Sequence, residues 1–244
     1  MKVQKTGEYR SHRQQRGTWH DAVRRQDEHG QPGPGGHYAH GEASPGHGNV
    51  IDTEDVYSLG ESETLMGNAL KGVRDEIVLA TKVRLPMSEN FNRSGATRVN
   101  IMHEVEGGLR RLQTDYIGLY QVHGWDSNTP LEETLRTLDD LVRHGKVRYI
   151  GLSNFMSWQA ATAVMVQERL GLQKYVTAQM YYSLVGRGLE YEFQSFAEYH
   201  NIGILVWSPL AGGFLTGKYS RAPTLLLPPP DSRRQVRSCP SIRR

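Results

Sequence analysis

Cysteine is nearly absent from this sequence. Cys239 is the only one in 244 residues, which rules out an internal disulfide. No run approaches the ~18 consecutive apolar residues that would span a bilayer, and Met1-Lys-Val-Gln-Lys5 is not followed by the apolar core of a secretory signal. The expectation is a soluble, cytoplasmic protein. Residues 1–49 contain no Leu, Ile or Phe; the first of each are Ile51, Leu59 and Phe91. Rich instead in Gly, Arg, Gln and His, this zone lacks the apolar area that offsets chain ordering. A G-x-G-x-x-G turn is missing too. Gly33 and Gly35 are followed by Tyr38, and Gly46 and Gly48 by Ile51, which argues against an open dinucleotide-binding sheet.

Composition divides the chain into three zones. Residues 1–48 read as an irregular Gly/His/Arg-rich segment, 49–220 as the folded core, and 221–244 as a disordered Pro/Arg-rich tail. The charge follows the same division. Residues 1–49 carry seven Lys/Arg against five Asp/Glu, and 221–244 six against one, so a total of +3 leaves the region between at −4. A basic tail can attract nucleic acid or anionic lipid. Without aromatic interleaving or a binding module it reads as a solvated tail, so neither nucleic acid nor membrane is expected as a partner. His37 and His40 lie in a Gly-rich stretch without cysteine or a carboxylate at ligand spacing, and read as solvated rather than metal-binding. No metal site is expected.

What is present begins at Asn49. Val50-Ile-Asp52 reads as a strand ending on a carboxylate, with Tyr57 five residues on. A charge where a buried sheet meets its loops is costly unless it has a partner. Lys82 closes the apolar run Ile77–Thr81 and is the candidate; Tyr116–Val122 ends on His123. Between and beyond these runs lie single apolar stripes of helical period: Met102, Val105, Leu109 and Leu112, then Leu131, Leu135, Leu138 and Val142. Thr129-Pro-Leu-Glu132 predicts a capping box with proline at the first helical position. Val147–Leu152, Val176–Met180 and Ile204–Trp207 read as further strands, with helices over Glu61–Leu70, Trp158–Leu170 and Leu189–His200. Strand and helix alternate six times, which calls for a parallel sheet. Each strand ends on something polar or aromatic: Asp52, Lys82, His123, Ser153-Asn154, Gln179 and Trp207-Ser208. Chemistry on the carboxyl ends of many strands favours a (β/α)8 TIM-barrel type of fold. The barrel is expected to be incomplete: a first strand at Gly17-Thr-Trp19 lacks its apolar run, an eighth beyond Lys218 is missing, and the sheet keeps open edges.

Asp52, Tyr57, Lys82 and His123, in this order and spacing, resemble the tetrad of the aldo-keto reductases. The resemblance extends through Gly145–Phe155, Gln179 and Trp207–Lys218. It covers about residues 49–220 and fades outside them, as in a family member truncated or frame-disrupted at both ends. It implies an NADP(H)-dependent enzyme acting on a small aldehyde or ketone. In that scheme Tyr57 is the proton donor, Lys82 its modulator held by Asp52, and neutral His123 hydrogen-bonds the substrate oxygen. A nearby ammonium favours the phenolate, which suits a tyrosine to proton transfer near neutrality. The resemblance further implies that Ser153, Asn154 and Gln179 hold the carboxamide and that Trp207 stacks on the nicotinamide. Ser208, Leu210 and Lys218 would line the diphosphate. The alternative is a non-catalytic or cofactor-binding remnant. Tyr116, Tyr120, Tyr181 and Tyr182 read as packing residues.

Overall fold

Short apolar runs separated by helical stripes become six parallel strands, hydrogen-bonded in chain order. The structure is a computed structural model and describes residues 49–217 and 219. The strands are β1 (Val50–Asp52), β2 (Val78–Val83), β3 (Ile117–Val122), β4 (Val147–Ser153), β5 (Tyr175–Tyr181) and β6 (Gly203–Trp207). Between them run α1 (Glu61–Ala69), α2 (Arg98–Leu112), α3 (Leu131–Arg143), α4 (Ser157–Leu170) and α5 (Phe193–Tyr199). This is the α/β architecture expected, a curled half-barrel consistent with an incomplete (β/α)8 barrel. The doubtful strand at Gly17-Thr-Trp19, the eighth strand, and the readings of 1–48 and 221–244 lie outside the described residues. Among the described residues, β1 and β6 each pair on one side only.

The period-2 geometry of the strands decides which residues face the concave side. Asp52, Lys82 and Gln121 face it together; Thr81, one residue off in parity, instead donates to Glu63 of α1 on the outer side. The curl is visible in the side chains: Gln121 of β3 reaches Asp52 of β1 across the intervening β2. On the outer face Leu79, Val83, Val122, Ile150 and Leu152 form one core with Ile101, Val105, Leu135, Leu138, Leu141 and Val164 of the helices. Gly67 allows α1 to lie on the end of α2, since a Cβ there would sit 2.6 Å from the Arg111 carbonyl oxygen.

Three local expectations change. β2 does not stop before Lys82 but continues to Val83, because the lysine occupies a concave-side position while Val83 is buried in the outer core. The capping box at α3 does not form. Thr129 donates its hydroxyl to Asp126 Oδ2 at 2.7 Å, and Pro130 stands at the N-cap with no side-chain cap bond. The hydroxyl proton finds a charged acceptor in Asp126, an interaction stronger than the neutral cap bond in which the Thr129 oxygen would accept from a backbone N–H. The helix expected over Leu189–His200 is split, with a single turn at Gly188–Tyr191 and α5 starting at Phe193.

Candidate active site

The carboxyl end of β1 carries Asp52, 3 % exposed, and the neighbouring strand carries Lys82, 1 % exposed. Lys82 Nζ donates to Asp52 Oδ2 at 2.6 Å and to the Thr53 carbonyl at 3.0 Å. Gln121 Nε2 donates to the other carboxylate oxygen, Oδ1, at 3.0 Å. A buried ion pair persists only when both charges find such additional partners. Tyr57 opens a one-turn helix five residues past Asp52, and its ring centroid lies 5.1 Å from the Lys82 ammonium. Asp52, Lys82 and Tyr57 are thus brought together, with Gln121 as a fourth member. Gln121 is a polar residue inside an apolar strand, and its concave-side parity with Lys82 is the signal that would have found it.

His123 follows β3 and is anchored at both backbone atoms. Its N–H donates to the Val83 carbonyl at 3.0 Å and its own carbonyl accepts from Asn154 Nδ2 at 3.1 Å. Its ring Nδ1 pairs with Glu54, a residue that sequence reasoning missed. Glu54 is fully buried, two residues from Asp52, and its second oxygen Oε2 has no hydrogen-bond partner. Only the fold, which closes the loop after β1 against the end of β3, reveals the pair.

The remaining strand ends are joined through Asn154, whose positive φ of 55° is tolerated better by asparagine than by most residues. Its amide donates to Ser153 Oγ at 2.9 Å, and its Oδ1 accepts from Trp207 Nε1 at 3.0 Å. Ser153 in turn donates to the Gln179 carbonyl at 2.8 Å. Ser153, Asn154, Gln179 and Trp207 therefore form one cluster on the ends of β4, β5 and β6. Trp207 packs on Tyr181 with ring centroids 4.9 Å apart and is itself 40 % exposed. Ser208, with φ of 56°, receives a hydrogen bond from the Gly212 N–H, and Leu210 is exposed on the loop beyond. Lys218 lies outside the described residues. Asn154 commits its amide hydrogens to His123 and Ser153 and its oxygen to Trp207, so the side chains here whose chemistry matches a planar ring bearing a carboxamide are the Gln179 amide, which both donates and accepts, and the partly open indole.

Behind the site lies a second buried set. Asp55 makes no side-chain hydrogen bond, and burial pushes its carboxyl up to about 9, reinforced by Glu63, Glu54 and Glu104 and only partly opposed by the adjacent Val56 N–H. Burial also raises Glu63, against the opposing effect of Arg111, which donates to it at 2.6 Å. The Tyr120 hydroxyl, buried and unpartnered, is held well above its ordinary value by burial and by Asp55. Tyr120 faces α1 and α2 rather than the concave side, in keeping with a packing role. Among the described residues no group of three His, Cys, Asp or Glu side chains is placed to hold a metal ion. No helix there is long and apolar enough to cross a membrane.

The sequence model of the aldo/keto reductase family matches residues 46–239, a span that runs past the described residues. Among curated relatives, the aldo-keto reductase YhdN of Bacillus subtilis is 41% identical over 171 residues, covering 69% of this chain and 50% of its own length. The aldo-keto reductase dtxS3 of Metarhizium robertsii is 36% identical over 201 residues, covering 72% of this chain and 53% of its own. The versiconal hemiacetal acetate reductase of Aspergillus parasiticus is 34% identical over 194 residues, at 71% and 56%. The chain thus spans about half the length of these relatives.

Proposed function

This chain belongs to the aldo/keto reductase family, and from that premise we propose that it reduces small aldehydes or ketones with NADP(H). The observation that carries the reading is the buried Lys82 ammonium, pinned by Asp52 and 5.1 Å from the centroid of the Tyr57 ring. In this reading Ser153, Asn154 and Gln179 hold the carboxamide, Trp207 covers the ring, and Ser208, Leu210 and Lys218 serve the diphosphate. When bound, a reduced nicotinamide supplies the hydride to the carbonyl carbon. Tyr57 Oη gives its proton to the carbonyl oxygen, leaving a phenolate that the Lys82 ammonium stabilises until solvent restores the proton. Asp52 and Gln121 keep the ammonium in place, and His123 orients the oxygen. The cytoplasm is the proposed setting, on the sequence argument above.

A second reading is a cofactor-binding remnant without turnover. Two measurements on the full chain separate the readings: quenching of tryptophan fluorescence by NADPH, and aldehyde-dependent oxidation of NADPH in a single turnover with a reactive aromatic aldehyde. Saturable quenching with oxidation supports the reductase. Quenching without oxidation supports the remnant, and the absence of both removes the cofactor site.

A further inference from the structure

Glu54 is buried to 0 % exposure and spends one oxygen on His123 Nδ1, while the other has no hydrogen-bond partner. The imidazole it holds is 21% exposed and is fixed at both backbone atoms. A carboxylate in that place accepts, so Nδ1 donates. A neutral imidazole has a single N–H. With that proton on Nδ1, Nε2 offers a lone pair, and a carbonyl oxygen, which only accepts, gains nothing from it. A neutral His123 donating to the substrate, the role that the resemblance implies, is therefore incompatible with an ionised Glu54.

We propose that Glu54 is a positioning residue that makes Nε2 of His123 a donor to the carbonyl oxygen only while the Glu54–His123 pair holds two protons. One lies between Nδ1 and Glu54 Oε1, and the other is on Nε2. The protons belong to the pair rather than to either member. The same pair with one proton presents an Nε2 lone pair, which accepts from the hydroxyl of an alcohol. Glu54 thereby ties the direction of the reaction to pH, with carbonyl recognition at lower pH and alcohol recognition at higher. The inference rests on the reductase reading above and deepens it.

Each other charged group around the pair has its own counterpart. Lys82 is bound to Asp52 in the same wall, and Tyr57 lies over Lys82. Glu63 of α1 is paired with Arg111 at 2.6 Å. Glu104 of α2 lies 3.7 Å from Arg93 and Arg111 and 3.1 Å from His103. Arg84, past β2, donates to the Trp125 carbonyl at 3.0 Å. Burial pushes the carboxyl of Asp55, adjacent in sequence, up to about 9. The imidazole and Glu54 are left to neutralise one another.

The test is a long-range proton–nitrogen spectrum of the full chain labelled with 15N-histidine, over a pH series. The His123 signals are those lost in His123→Asn. In the unsubstituted protein both ring nitrogens should be protonated at low pH, converting as pH rises to Nδ1 protonated and Nε2 bare. In Glu54→Gln the amide can donate to Nδ1 as well as accept from it, so a neutral ring with its proton on Nε2 becomes available without a second proton on the pair. In the same series kcat/KM for aldehyde should fall about tenfold per pH unit above the pair's midpoint, and Glu54→Gln should carry activity past that midpoint. A neutral unsubstituted protein with its proton on Nε2 overturns the proposal. Should Glu54→Gln fail to fold, the spectrum of the unsubstituted chain alone still decides. Because the spectrum needs no turnover, a chain without reductase activity sinks the function and leaves this inference to its own result.

Discussion

Strands β3 and β6 are parallel strands of one sheet, yet every residue of β3 is buried and none of β6 is. β3 is flanked by β2 and β4 and backed by the α2 and α3 core; β6 pairs only with β5 among the described residues. The difference sorts the chemistry. The charged groups proposed to tune the proton donor, Asp52 and Lys82, sit on the covered wall with Gln121, where screening by water and salt is weak and an ammonium acts strongly on a nearby phenol. The group proposed to cover a ring, Trp207, sits on the open wall with 40 % of its surface accessible. A stacking surface must be reachable, whereas a buried cation must not be hydrated away.

Substitutions on the two walls should therefore fail differently, and the largest effect is kinetic. Tyr57→Phe should slow single-turnover aldehyde reduction by about 10²–10⁴-fold, the usual worth of a positioned acid, with NADPH quenching unchanged. An ordinary rate would remove Tyr57 from the mechanism. Lys82→Met leaves Asp52 as a lone buried charge and should cost about 3–5 kcal/mol in denaturant unfolding. If enough protein folds, its pH–rate profile should move to higher pH, since the phenol loses its stabilising cation. The walls are compared directly by Leu119→Ala on β3, expected to cost about 2–5 kcal/mol, and Leu205→Ala on β6, expected near 1 kcal/mol. Equal midpoint shifts would show that β6 is covered in solution.

Asp55 adds a pH signature to the covered wall. Its carboxyl is raised from 3.8 to about 9 in the folded chain. The folded state therefore binds the extra proton, and the associated stability is complete below pH 3.8 and is lost as pH rises toward 9. Asp55→Asn mimics the protonated acid. It should match the unsubstituted chain near pH 4 and exceed it at pH 8 by on the order of 1–3 kcal/mol, the cost of a buried unsatisfied group. Thermal scans at the two pH values check the sign; an Asn variant less stable at pH 8 would contradict it. The smallest effect belongs to the solvent face of α3. Arg136 and Glu132, 2.7 Å apart and both about half exposed, should lose only about 0.3–0.5 kcal/mol in Arg136→Ala.

Much of this was legible along the chain. Apolar runs bounded by glycine and separated by three- and four-residue stripes determined six strands and their helices, because burial on both faces of a parallel sheet leaves a local signature. The candidacy of Lys82 as partner to Asp52 followed from the same reasoning, since two charges at strand ends need each other. Local signals failed where a stronger long-range partner intervened: Thr129 turned from its helix to Asp126, and β2 ran on through Lys82 to bury Val83. Gln121 and Glu54 became site members only through the tertiary structure, each meeting its partner across 69 residues of sequence. Residue type and order determine which groups are present and where strands end. The curl of the sheet alone decides that Gln121 crosses β2 to Asp52, and the closure of the β1 loop that Glu54 meets His123. Hydrogen bonds act over about 3 Å of space, and no periodicity in the chain encodes that distance.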